Sequence, residues 1–390
     1  MQVLHIFDRY LNTTMNWAHN FMLSLPEVQH IATAPIRFEN AFDRGVQLLT
    51  APHQHVLPMP RDEWSVPVYY RGFDKLLPGV YESWLRRYVM KHPPDIIHTH
   101  FGGVGVRHMK WIKHTGIPFI TSFYGFDMEK LPYKKPEYRA YYRTLADTVT
   151  AVLVLGTSSK KTLAEQYGFQ RERIWVHPLG IDVKSLPFHT RKKPSTGLRL
   201  LQIATLTPKK GQLDALKALR RALSVYPDIR LTFVGERWDK SYVRTIEEYI
   251  EEHGLHHAVS MLPFVAHDEI YQLMEQYDAF IHPSHYTEDR DSEGGATFAI
   301  LEAMASGLPV LSTAHRSIPE RVIDGEMGFI VPERDIEALS KAIVRMYEMP
   351  PHEYQKMSRA CRNQIEMNFD SIRLAKKMES IYNTVMRQHC

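Results

Sequence analysis

The chain has 390 residues, 44% hydrophobic and 24% charged, with a formal net charge of +4. That length exceeds what one hydrophobic core usually supports and predicts two domains, while the composition excludes a disordered or fibrous chain. The only cysteines are Cys361 and Cys390, which excludes a disulfide framework; with no long apolar run and no basic-then-apolar opening, the chain is expected to be cytoplasmic and not to span a membrane.

Residues 3–7 predict a first strand, followed by a polar loop over 8–16 and an apolar-periodic helix through Trp17, Phe21 and Leu25. From 31 to 71 short apolar pieces alternate with prolines, and neither 53–55 nor the aromatic stretch 64–70 shows a period that places a strand. Residues 80–89 then predict a helix stopped by Pro93 and Pro94, 95–99 a strand, 101–105 a turn, 106–114 a helix and 118–122 a strand. The break that follows, Phe123 to Asp127, holds Tyr124 and Gly125 at a strand end, where open parallel sheets bind ligands. A tyrosine- and lysine-rich segment over 133–142, a strand over 149–155 and a helix over 158–167 complete the first half.

Residues 183–198 carry Pro187, Arg191, Lys192, Lys193, Pro194 and Gly197 and read as the linker. Past them the alternation restarts: strands over 199–204, 229–234, 259–262 and 279–282 interleave with helices over 212–224, 241–253 and 268–276. Pro283 to Pro309 then packs an acidic loop, a glycine pair and a short helix from Phe298 to Ser306, with Thr297 as N-cap through its hydroxyl and Gly307 as the stop. Strands over 309–313 and 328–331 and helices over 336–349 and 371–386 end the chain. This alternation predicts an α/β protein of two doubly wound parallel sheets with a ligand cleft between them.

Charge is uneven. Residues 1–190 hold 22 Lys+Arg against 16 Asp+Glu, and the remainder 26 against 28. A first half at +6 fits either contact with an anionic membrane surface or a solvated face. No nucleic-acid partner is expected.

Several residues carry chemistry. The turn Thr207-Pro208-Lys209-Lys210-Gly211 can seat a diphosphate on backbone N–H groups and a lysine, or be solvated surface. Glu293 and Glu302 flank the turn Gly294, Gly295, Ala296, Thr297; they can accept from vicinal hydroxyls, or Glu302 can cap a neighbour while Glu293 stays in solvent. Asp289 and Asp291 have a DxD form, but no metal is expected. His98 and His100 are expected on opposite faces of a strand end, one in the core and His100 toward the cleft beside Phe101, Gly102 and Gly103. The chain has no Ser–His–Asp arrangement, CxxC pair or GxGxxG fingerprint, so hydride transfer is unsupported.

These residues resemble the retaining glycosyltransferases of family 4, in the branch that builds bacterial exopolysaccharide and lipopolysaccharide. The resemblance runs from Asp95-Ile96-Ile97-His98-Thr99-His100-Phe101-Gly102 through His177-Pro178-Leu179-Gly180-Ile181-Asp182 and Lys209-Lys210-Gly211. It is most specific at Glu293-Gly294-Gly295, at Leu301-Glu302-Ala303-Met304-Ala305-Ser306-Gly307-Leu308-Pro309 and at Ile318-Pro319-Glu320. It implies a GT-B fold of two facing Rossmann-like domains, residues 1–185 with the last helix 371–390 packed back on them, and residues 186–370. It also implies retaining, metal-independent transfer from a UDP- or GDP-linked sugar to a saccharide or lipid-linked acceptor, without a cofactor, in the cytoplasm or at the inner face of the cell membrane.

By the same resemblance Lys210 neutralises the donor diphosphate, Glu302 holds the ribose and Glu293 contacts the sugar. The N–H groups from Ala296 through Phe298 to Ala299 lie near phosphate and sugar, and His100, Tyr124 and Asp127 line the acceptor side. Three departures stand out. Glu293 and Glu302 have eight residues between them where the family usually has seven, Thr205 replaces an arginine on the diphosphate, with Lys209 as its substitute, and Tyr124 replaces a histidine. The last two motivate an alternative, a nucleotide-sugar-binding protein without transferase activity.

Overall fold

Residues Ile96–His100, Phe119–Phe123 and Ala151–Val154 are buried at every position. Strands with no solvent face must be covered on both sides, and parallel sheets with crossover helices provide that cover. The computed structural model bears this out; it describes all residues except 11–15, 39–44, 52–54, 58–76, 187, 266, 294–296 and 390. Gly294, Gly295, Ala296, Pro187, Cys390 and the aromatic stretch 64–70 therefore lie outside the described residues.

The chain divides into two units, Met1–Gly180 with Ser371–Cys390, and Ile181–Asp370. The first contains β1 (Gln2–Ile6), β2 (Arg9–Tyr10), β3 (Gln29–Thr33), β4 (Ile36–Phe38), β5 (Gln47–Leu48), β6 (His55–Leu57), β7 (Ile96–His100), β8 (Phe119–Phe123), β9 (Ala151–Val154) and β10 (Ile174–Val176). Seven of them form a parallel sheet in the order β10-β9-β8-β7-β1-β3-β5, and β2-β4-β6 form a small second sheet. The chain builds outward from β1 in one direction and from β7 in the other, so the topological switch point lies between β1 and β7. The last helix, Ser371–His389, joins Met378, Ile381, Tyr382 and Val385 to one cluster with Val3, Ile96, Ile120 and Leu153.

The second unit contains β11 (Leu198–Ile203), β12 (Ile229–Val234), β13 (Val259–Leu262), β14 (Ala279–His282), β15 (Val310–Thr313) and β16 (Gly328–Val331), parallel in the order β13-β12-β11-β14-β15-β16. Its switch point lies between β11 and β14. One cluster packs Leu216, Leu219 and Ile246 with Leu231 and Phe233, and another packs Leu301, Met304 and Ile365 with Leu201 and Phe280.

Five sequence expectations change. Strands do exist between 29 and 57; β4, β5 and β6 are two or three residues long, too short for a period to show. The turn expected over 101–105 is the first turn of a helix, Gly102–Lys113, whose start lies so close to β8 that a Cβ at Gly102 would stand 2.2 Å from the Phe123 ring. His98 and His100 share one face, with rings stacked at 4.4 Å, since side chains two apart on a strand point the same way. Residues 183–198 are no free linker. Arg191 donates to the carbonyls of Ser306, Met274 and Tyr277, so its guanidinium fork ties together two helix ends and seals the segment onto the second unit. Finally, an eighteen-residue helix, Pro351–Asn368, lies between the two that were expected at the end.

Candidate active site

In the second unit the site grows from the ends of β11 and β14. After β11 the chain makes a tight turn, Pro208–Lys210, and enters the Gln212–Leu223 helix through Gly211 at φ 72°. A Cβ there would stand 2.0 Å from the Pro283 carbonyl oxygen, so only glycine lets the turn lie against the end of β14. Gln202 and Gln212 donate to the carbonyls of Lys210 (2.7 Å) and Thr205 (3.1 Å), which pins the turn from both sides.

This places Lys210 Nζ 2.7 Å from Glu293 Oε1. Burial alone would raise the Glu293 carboxyl, but Lys210, Lys209 and His282 overcome it and hold the group down at about 2. His282, the last residue of β14, is fully buried, and burial together with Lys210 lowers it to about 3, so it is neutral. The Glu293 N–H donates to His315 Nε2 (3.2 Å), which fixes that ring's proton on Nδ1, where it is donated to Glu333 (2.8 Å).

Thr297 is the N-cap of the Phe298–Ala305 helix, yet its hydroxyl makes no capping bond and is buried without a partner. Both His282 ring nitrogens and the hydroxyls of Ser284 and Ser292 are likewise buried and unpartnered. Unpaired buried polar atoms cost free energy, and these, at and just past the end of β14, beside Glu293 in sequence and at the helix N-cap, mark places that a polar ligand completes. Glu302, one turn into the helix, is buried and accepts from Tyr271 (3.4 Å). Of the DxD pair, Asp289 accepts from Thr287 (2.7 Å) and Asp291 pairs with Lys209 (3.1 Å).

In the first unit a chain of hydrogen bonds crosses the switch point. His30 Nδ1, His5 Nε2 and Nδ1, His100 Nε2 and Nδ1, and the Tyr124 hydroxyl follow in line at 2.8, 3.0 and 2.9 Å. Burial lowers His30 to about 4 and His100 to about 3, and pushes the Tyr124 phenol up, so all three are neutral. His5, His98 and His100 have nitrogens within 4.8 Å of one another. All six of their ring nitrogens already hydrogen-bond, those of His98 to Tyr382 and Ser122. Asp127 is turned to the backbone, accepting from the Gly102 and Tyr124 N–H groups, and burial raises it to about 7 against those bonds. Phe101, between β7 and the next helix, holds φ 76°, a strained value for a non-glycine residue, and its ring lies 4.7 Å from that of Tyr124.

Lys210 and Lys209 thus meet Glu293, Thr205 precedes their turn, and Thr297, Phe298, Ala299 and Glu302 lie at the N-cap and in the helix that follows. His100, Tyr124 and Asp127 gather in the other unit. Sequence reasoning missed His282, His315 and Glu333 in the second unit and His5 and His30 in the first. The available signal was a polar residue at or near the end of an otherwise apolar strand.

Two family models match the chain, "Glycosyltransferase Family 4" over residues 43–185 and "Glycosyl transferases group 1" over 188–364. The chain belongs to the family 4 glycosyltransferases. Among relatives of this glycosyltransferase, the colanic acid biosynthesis protein WcaL of Salmonella typhimurium is 29% identical over 299 residues, 75% of this chain and 71% of that one. The amylovoran biosynthesis glycosyltransferase AmsK of Erwinia amylovora is 29% identical over 254 residues, 65% and 61% of the two chains. A glycosyltransferase from Rickettsia africae superposes with TM-score 0.75 at 17% identity, covering 99% of this chain and 98% of the other. Anabaena HepE, solved with UDP and glucose, gives 0.71 at 16%, covering 98% and 99%. The two parallel-sheet units are those of the GT-B fold.

Proposed function

We propose that this glycosyltransferase moves a sugar from a nucleotide diphosphate sugar to a saccharide or lipid-linked acceptor, with retention at the anomeric carbon, in cell-surface polysaccharide assembly. The observation that carries the donor assignment is the second-unit switch point. There the Lys210 ammonium pairs with Glu293 and acts on the buried, unpartnered His282 ring, while Thr297, N-cap of the Phe298–Ala305 helix, and Ser284 and Ser292 also keep buried, unpartnered hydroxyls. The names of WcaL and AmsK support the polysaccharide context, and the HepE complex supports a UDP-linked donor.

In this reading Lys210 and the helix N-terminus stabilise charge that develops on the leaving diphosphate, so the chain's own cations serve where a metal otherwise would. Glu302 takes the ribose hydroxyls and Glu293 the sugar. Thr205 offers no charge, and Lys209 stands nearest in the turn to replace the missing arginine. His100 and Tyr124 serve the acceptor as neutral hydrogen-bonding groups, while Asp127 acts as a positioning residue that holds the Tyr124 backbone. As the bond from the anomeric carbon to the diphosphate oxygen breaks, the acceptor oxygen bonds on the same face, and its proton passes to the departing phosphate oxygen. The basic first 190 residues favour peripheral attachment to an anionic membrane.

Thermal-shift titration with UDP, GDP, ADP and their sugars tests the donor site, because a ligand of the folded state raises the melting temperature by mass action. One nucleotide series is expected to stabilise the protein and to lose that effect when Lys210→Met and Glu293→Gln are combined. An effect that survives places the diphosphate elsewhere. With an active pair in hand, inversion of the product's anomeric configuration would refute retention.

A further inference from the structure

The Gln212–Leu223 helix begins at the candidate donor site, but its far end contributes to a second concave feature. A cavity of ≈ 470 Å³ is lined by Lys217, Arg220 and Arg221 of that helix, by Tyr249 and His253 at the end of the Lys240–Glu252 helix, and by Ile336. Among the described residues that line it none is acidic. Arginines in a last helical turn commonly answer the helix dipole, which accounts for Arg220 and Arg221 without a ligand. It accounts equally for His253, the C-cap of its own helix, but not for Lys217, a turn earlier, nor for two helix ends meeting around the same hollow.

Two carboxylates lie within electrostatic reach, and both have other partners. Glu337, near Arg221, is 2.6 Å from Lys341, and Asp214, near Lys217, faces His285 at 3.6 Å. The cationic side chains thus surround the hollow without a neutralising acid in its wall. Tyr249 and His253 pack edge to face at 4.2 Å and, with Ile336, put two rings and an aliphatic side chain into its lining.

We propose that this cavity is a second anion site, for a ligand carrying two or more phosphate charges next to a ring or apolar portion. Forked guanidinium groups suit phosphate oxygens, and the aromatic wall suits what the phosphates are attached to. The same chemistry is offered by a free phosphorylated metabolite and by a phospholipid headgroup.

Pyrophosphate is the probe, titrated calorimetrically at low salt into the whole protein and into Arg220→Ala/Arg221→Ala. Both arginines are exposed, so the variant retains the fold, which an unchanged melting temperature verifies. The expected result is one binding site fewer in the variant, with the remaining isotherm unchanged, and recovery of that site in Arg220→Lys/Arg221→Lys with at least tenfold weaker affinity. Equal site numbers in wild type and variant overturn the proposal. The candidate donor site is read separately, since its failure removes the site that is insensitive to the arginines. A parallel sedimentation with phosphatidic acid vesicles distinguishes the sources: arginine-dependent vesicle binding identifies a headgroup, and arginine-independent or absent vesicle binding, with the pyrophosphate site intact, identifies a free ligand.

Discussion

The Lys210–Glu293 pair can be tested as a structural element before any substrate is known. Its side chains are 15% and 10% exposed and 2.7 Å apart, so water screens them little. The Glu293 carboxyl lies at about 2 where 4.5 is ordinary; at about 1.4 kcal/mol per factor of ten in acidity, this attributes about 3 kcal/mol of stability to its charged form. Removing one member of a buried pair independently costs about 3–5 kcal/mol, because the other charge is stranded. Lys210→Met and Glu293→Gln should therefore each lower urea-unfolding stability by about 3 kcal/mol, and the double variant should lose far less than the sum of the two. Because the folded-state value lies below the unfolded one, the contribution is fully present above pH 4.5 and is lost as pH falls toward 2, and Glu293→Gln should abolish that acid-range dependence. The same variant frees Lys210, so pyrophosphate should bind more tightly even as the fold weakens. Additive losses in the cycle, or a Lys210→Met protein within about 0.5 kcal/mol of wild type, would refute the coupling.

Three further outcomes are expected. Gly211→Ala forces a Cβ to 2.0 Å from the Pro283 carbonyl oxygen at a left-handed φ, so a loss above about 2 kcal/mol should appear in chemical denaturation. Thr297→Ala should cost under about 0.5 kcal/mol, less than a usual N-cap loss of about 1, since the hydroxyl makes no capping bond, yet it should weaken nucleotide-sugar affinity in thermal-shift titrations. Asp127 has its folded value raised from 3.8 to about 7, so its contribution is complete below pH 3.8 and lost as pH rises through 7; Asp127→Asn should flatten the stability profile across that window.

The second unit was the more legible half because its strands are four to six residues long and mostly apolar, separated by helices with clear periods. The first unit hid its edge: β5 is Gln47–Leu48, two residues whose pairing with β3 depends on partners far away in sequence. The missed helix Pro351–Asn368 buries Ser358, Cys361 and Arg362 within its apolar stripe. Arg362 is buried because its guanidinium reaches the carbonyls of Val183, Leu186 and Ala305, which no local pattern reveals. At the candidate site the motifs singled out Lys210, Glu293, Thr297 and Glu302, of which the structure brings Lys210 and Glu293 into contact. They did not announce that Lys210 and Glu293 meet each other, nor that His282 lies behind them, since both follow from how β11 and β14 are juxtaposed across the switch point.

The chain's path through its two units also bears on its synthesis. Residues Ile181–Asp370 are continuous, whereas the first unit is completed only by Ser371–Cys390. On the ribosome the second unit therefore has all its parts first, while the cluster of Val3, Ile96, Ile120 and Leu153 lacks Met378, Ile381, Tyr382 and Val385 until the Ser371–His389 helix emerges. The usual order of maturation along a nascent polypeptide is reversed for these two units, and a stretch made after residue 370 closes the core that residues before 181 began.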